Sequence, residues 1–274
     1  GATGGGPTLV EAILASPPRD DDRLARYLEA RGHLDGERRA ALERTLRSEI
    51  GEATYLRADL TGAYNSAFYT TPDNPPKTSL ALREVLYWRP DLVIIADHVV
   101  TTDTAYTPLA TVHFEAEPQP AGLFYRVQQG SSALYLQNLL PNSRVTIARG
   151  FEVEGQTVDQ TFGAPAHNAT EGRAPGLYRL DIAPGDSQTD NWFLSALVAQ
   201  AADAPAPPAG TLVLGEQVRG VAFGTRQVLF ATDAGDGTSP TEAAFPIAPG
   251  IEHTLVTGLQ PGASYRITLE GNTT

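Results

Sequence analysis

Asp97 and His113 are the residues in this chain whose types best suit a metal ion. A carboxylate and an imidazole from neighbouring strands can share a divalent cation, with His98 as a further nitrogen. Adjacent strand residues point to opposite faces, however, so Asp97 and His98 cannot easily serve one ion. In the competing reading Asp97 bonds to backbone or pairs with Arg83 or Arg89, and His113 is an ordinary strand residue. No cofactor is demanded, and a structural divalent metal is the one these types allow. Such a centre needs three or four convergent ligands. The five histidines, His33, His98, His113, His167 and His253, are scattered and form no His-x-His pair. Asp233–Thr238 has acidic residues and glycines like a calcium loop, but lacks the regular spacing and the closing Glu; a hairpin loop is the better reading.

Tyr55, Tyr64, Tyr69, Tyr87, Trp88 and Tyr106 crowd one segment. Aromatic faces stack on sugar rings, and Trp88 and Tyr69, beside turns, are the surface candidates for carbohydrate binding. The same residues equally suit core and cross-strand packing. Asn168-Ala-Thr170 and Asn272-Thr-Thr274 fit the acceptor pattern for N-glycosylation, which in a secreted protein marks loops and termini. With no Cys, the chain has no disulfide and no thiolate chemistry. Lys77 is the single lysine; the other basic residues are Arg, which reads as a compositional bias.

The 274 residues suffice for one large or two small domains, and 41% hydrophobic with 19% charged residues is ordinary for a folded chain. The formal net charge of −12 repels nucleic acid on average, so no nucleic-acid partner is expected. An acidic glycan is repelled too, unless a local basic patch overrides the mean field. No apolar run reaches the roughly 18 residues of a membrane span. The chain does not start with Met, which suggests a processed product or a fragment.

The elements that would position these residues fall into three stretches. Residues 1–52 read as a flexible, then helical, segment. Leu9, Ile13 and Leu14 form a short apolar turn, Asp20–Asp22 cap a helix to about Arg31, and Leu42, Leu46 and Ile50 stripe a second from about Glu37 to Ile50. Residues 53–203 carry strand periodicity. Strands are expected at Ser79–Tyr87, Leu92–Val100, Thr111–Glu117, Leu123–Gln128, Leu134–Leu140, Arg144–Ala148, Gly176–Ile182 and Phe193–Ala199. Leu92 to Ile95 is apolar enough for burial on both faces. Asp203–Gly210 is a Pro/Ala linker. Residues 204–274 then form a β extension or small β module, with strands at Gly220–Phe223, Gln227–Ala231, Ala243–Ile247, His253–Val256 and Ser264–Leu269. The expected class is mainly β, an antiparallel β-sandwich with a short N-terminal helical segment.

Thr54–Asp203 resembles a known family through several phrases in order. ATYLRADLTGAYN leads to SLALREVLYWRPDLVIIADHVV and ATVHFEAEP; ALYLQNLLPNSRVTIARGFEV, APGLYRLDIAP and NWFLSALVAQAAD follow. They are similar to the C-terminal β-sandwich of heparinase II/III-like polysaccharide lyases. The resemblance implies an extracellular or periplasmic protein that meets acidic polysaccharide. Enzymes of that family cut by β-elimination at a uronic acid, which needs a base, an acid and a neutraliser for the carboxylate. Those roles sit mostly on a helical toroid preceding the sandwich and on an HxHxD-like segment. Neither pattern is found here, so no catalytic residue is assigned.

Three functions follow as expectations. The first is a sandwich that supports or binds acidic polysaccharide and is not catalytic alone. The second is a structural subunit of an extracellular filament or surface assembly, where the N-terminal arm packs on a neighbouring copy in self-association. The third is one part of a β-eliminating lyase whose toroid lies on a missing segment or another chain.

Overall fold

The computed structural model describes residues 9–12, 46–50, 53–65, 74–143, 145–149, 151–153, 156–158, 178–231, 240 and 242–259. The first strands are β1 (Leu9–Ala12), β2 (Leu46–Ile50) and β3 (Ala53–Asp59), followed by a one-turn helix α1 (Thr61–Tyr64). Next come β4 (Thr78–Trp88), β5 (Leu92–Thr101), β6 (Ala110–Phe114), β7 (Gln119–Ala121), β8 (Phe124–Gln129) and β9 (Ser132–Leu140). Four more are β10 (Val145–Arg149), β11 (Phe151–Val153), β12 (Gln156–Val158) and β13 (Tyr178–Ile182). The last are β14 (Asp190–Ala201), β15 (Thr211–Leu214), β16 (Val218–Phe223), β17 (Arg226–Ala231) and β18 (His253–Thr257). The protein is mainly β. Among the described residues no helix is long and apolar enough to cross a membrane.

The chain divides into two compact units, Gly51–Gly210 and the pair of segments Gly1–Ile50 with Thr211–Thr274. In the first unit an antiparallel sheet runs in the order β3-β4-β5-β14-β9-β8-β7. A second sheet has the order β10-β13-β6, also antiparallel. The alternation of the sequence decides which side chains meet between them. Leu136 of β9, Leu197 of β14 and Val127 of β8 pack against Leu180 of β13 and Phe114 and Val112 of β6. Leu136 and Leu180 are completely buried, each worth about 1.5–3 kcal/mol of transfer free energy. Two sheets face to face over an apolar layer make a sandwich.

The second sheet covers the β14-β9-β8 end of one face of the large sheet. Arg83, Val85 and Tyr87 of β4 share that face with Ile95 and Asp97 of β5, and here exposure rises: Arg83 and Tyr87 are exposed. The opposite face carries Leu82, Leu86, Leu92, Ile94 and Ala196, all buried. β5 is thus fully buried on one face and partly buried on the other. The linker 203–210 lacks regular structure, yet Gln137 holds Gly210 at both ends of its amide. Nε2 donates to the Gly210 carbonyl at 3.0 Å and Oε1 accepts from its N–H at 2.8 Å.

The other unit contains a sheet in the order β1-β18-β17-β16-β15. β1 and β17 both run parallel to β18, while β17, β16 and β15 are antiparallel. Val213, Val218, Leu229, Ile251 and Val256 form its core.

Three sequence expectations need correction. Leu46–Ile50 is a strand, not the end of a helix. A spacing of four puts Leu46 and Ile50 on one helix face, but being even it also puts them on one strand face. Leu9–Ala12 is a strand that adds to β18, not a turn. Ala243–Ile247 is not a strand. Pro246 has no N–H to give a ladder, and the fully buried Gln227 side chain serves this stretch instead. Its Nε2 donates to the Pro246 carbonyl at 3.1 Å, and its Oε1 accepts from Ala248 N–H at 3.1 Å. The helix expected at residues 20–31, the loop Asp233–Thr238 and the strand expected at Ser264–Leu269 lie outside the described residues.

Candidate ligand cavity

A cavity of about 440 Å³ opens on the partly exposed face of the first unit, beside Arg83 and Asp97. Its floor is the β4/β5 ladder, where Arg83 and Asp97 are direct cross-strand partners. Arg83 Nε donates to Asp97 Oδ1 at 2.6 Å and Nη2 to Oδ2 at 2.7 Å, a bidentate pair. The Asp97 side chain is 9% exposed and that of Arg83 46%, so the carboxylate is sunk and the guanidinium reaches solvent. The bond to Asp97 holds the guanidinium above its ordinary range, against burial, which lowers it; the charge of Asp97 and the Tyr64 phenol add to the rise.

One wall is the turn after β3. Asp59 Oδ1 accepts the Thr61 N–H at 2.9 Å, an Asx turn that starts α1. Thr61 Oγ1 accepts the Ala81 N–H at 2.9 Å, and Leu60 N–H donates to the Ala81 carbonyl at 2.7 Å. The turn is therefore tied to β4, and Tyr64 at its end, 65% exposed, borders the cavity. The other wall is the loop from Thr102 to Leu109. Asp103 shapes it: its Oδ1 accepts the Ala105 N–H at 2.8 Å, and its carbonyl accepts from Thr101 Oγ1 at 3.0 Å and from Tyr106 N–H at 3.1 Å. Thr102 N–H donates to the Lys77 carbonyl at 3.0 Å, bringing loop and lysine together. The Lys77 ammonium stands 5.6 Å from the centroid of the Tyr106 ring, a cation–π geometry.

Among the described residues the charged groups lining the cavity are Lys77, Arg83 and Asp97, beside tyrosine, threonine and apolar residues. With Arg83 and Asp97 cancelling, the formal balance of the described lining residues is one positive charge, in a chain whose total is −12. The cavity can hold an anion and offers two phenol rings beside it.

The expected metal pair does not converge. Both oxygens of Asp97 bond Arg83, while His113 is exposed on β6 in the other sheet, opposite Arg179 of β13. Among the described residues no group of three His, Cys, Asp or Glu is arranged to hold a metal ion. His98 is 3% exposed, stacks on Trp192 at 4.3 Å and places Nε2 2.9 Å from Asp190 Oδ1, on the opposite face from Asp97. Trp88, expected at the surface, is buried at 8%, because its strand position faces the packed side of the large sheet. Tyr69, Asn168 and Asn272 lie outside the described residues. In the sequence Tyr64 and Tyr106 stand out only as part of an aromatic crowd, and Lys77 only as a compositional oddity. The available signal was that a single lysine stands in the aromatic-rich segment.

No protein-family description and no curated protein matches the chain. Among solved structures it is similar to a heparinase III, with TM-score 0.39 and 11% identity over 65% of this chain and 26% of that one. It is also similar to heparan sulfate lyase HepC from Pedobacter heparinus, with TM-score 0.37 and 11% identity over 77% of this chain and 28% of that one. The chain spans about a quarter of the length of each.

Proposed function

We propose that the unit Gly51–Gly210 binds an acidic saccharide at this cavity and contributes binding instead of bond cleavage. One observation carries the reading: Lys77 and Arg83 meet two tyrosines around one cavity in an otherwise acidic chain. A sugar ring has an apolar face for a phenol ring and a carboxylate for a cation. The sequence phrases between Thr54 and Asp203 support the same ligand class and, with it, an extracellular or periplasmic setting.

The test is calorimetric titration of the full chain with an unsulfated oligogalacturonate and with a neutral glucan oligomer of equal length. The acidic oligomer is expected to bind at least about tenfold more tightly, the lower end of what a charge-assisted hydrogen bond adds. Lys77→Gln, an exposed substitution, should weaken that binding about two- to fivefold, as removal of a partly hydrated charge does. Equal affinity for the acidic and the neutral oligomer, or no binding of any acidic oligomer, carboxylate or sulfate, would sink the reading.

A further inference from the structure

The way Asp97 meets Arg83 decides more than the stability of the floor. A guanidinium has five N–H donors in one plane. Asp97 takes one from Nε and one from Nη2, the side edge. Both N–H of Nη1 and the second N–H of Nη2 remain, and along the end edge one from each nitrogen again makes a pair of parallel donors. Among the described residues no acceptor meets Nη1. The carboxylate also cancels the charge of Arg83, so at a distance the pair acts as a dipole. Among the described lining residues Lys77 is then the one with uncompensated charge, and its ammonium is drawn to the Tyr106 ring.

We propose that Asp97 is the specificity-determining residue of the cavity. By occupying the side edge and neutralising the guanidinium, it converts Arg83 from a general anion trap into a directional fork. Such a fork holds an oxyanion carried into its plane by a sugar seated beside Tyr64 and Tyr106. It holds a freely diffusing small anion poorly, because at the Arg83–Asp97 pair that ion gains neither the ring contact nor a net charge. This inference rests on the acidic-saccharide reading and adds the means of discrimination to it. A carboxylate and a sulfate ester share the chemistry of two parallel acceptor oxygens, so both oligomer types enter the test.

The experiment titrates the full chain, the Asp97→Asn variant and the Arg83→Lys variant with four probes: sodium acetate, sodium sulfate, oligogalacturonate and a sulfated neutral oligomer. Binding is read by heat and by amide NMR shifts, which also report folding. In the parent the oligomer whose acid suits the fork binds and the free ions do not. In Asp97→Asn the uncompensated guanidinium gains affinity for acetate and sulfate, and the preference for oligomer over free ion falls roughly ten- to hundredfold, the worth of a charge-assisted hydrogen bond. Arg83→Lys keeps a cation without a fork and loses oligomer affinity by roughly tenfold or more. An unchanged preference in a folded Asp97→Asn protein overturns the inference while leaving the binding function standing. Should that variant fail to fold, undiminished oligomer affinity in Arg83→Lys does the same. A parent protein that binds neither oligomer removes the function itself.

Discussion

Glu84 shows what a buried acidic side chain in this fold requires. It is 4% exposed on β4 and accepts a hydrogen bond from the hydroxyl of Tyr55 on β3, itself 4% exposed. Removing that donor takes one hydrogen bond from a desolvated carboxyl oxygen. Tyr55→Phe should therefore lower unfolding free energy by about 1–3 kcal/mol, measured by denaturant titration. A change within error would mean that water or another group replaces the phenol. Arg83 differs because its guanidinium stays half exposed. Its range is raised by Asp97, so this contribution to stability is complete below the ordinary arginine value and is lost only as pH rises through the raised one. The fork therefore keeps its charge across neutral and mildly alkaline solution. Asp97 as a partner of Arg83 was among the alternatives legible in the sequence, because cross-strand opposite charges recur on strands. That Lys77 shares their cavity was not, since a loop closes the distance.

At the scale of elements, the strands of the first unit follow from alternation. In β4 the apolar Leu80, Leu82, Leu86 and Trp88 fall at even spacing, with Glu84 among them, whereas β5 opens with the continuous apolar, mostly β-branched run Leu92–Ile95, whose strand reading rests on composition and its bounding turn. Short segments with even spacing, such as Leu46–Ile50, fit two periods, and the pairing partner settles the matter. In the other unit the hairpin β16-β17 depends on backbone contact. A Cβ at Gly220 would lie 1.8 Å from the Val228 carbonyl oxygen, with backbone of Leu229 also close. Gly224, at the turn, has φ of +61° and open space around it. Gly220→Ala should cost at least about 1–3 kcal/mol by overpacking against main chain. Gly224→Ala should cost only about 1–2 kcal/mol, from the left-handed backbone. Thermal unfolding of the two variants gives the order; a milder effect at Gly220 would contradict the close strand approach.

At the scale of the whole molecule, the net charge of −12 sets long-range behaviour while three lining residues set the contact. A polyanion is repelled until it is within reach of Lys77 and Arg83. The association rate with oligogalacturonate should therefore rise as salt increases from about 10 to 150 mM, where the screening length falls from roughly 30 to 8 Å. Stopped-flow mixing measures this; a rate that falls with salt would show that a basic patch steers the approach. The sequence by itself determined the mainly β class, most strand positions and the burial of one face, because each depends on a local period of two. Tertiary structure alone decided that Leu9–Ala12 joins a sheet with β18, that Trp88 is buried, and that Lys77 and Arg83 share a cavity. The physical reason is range: a period repeats within a few residues, whereas pairing across hundreds of residues and the path of a loop depend on which surfaces meet.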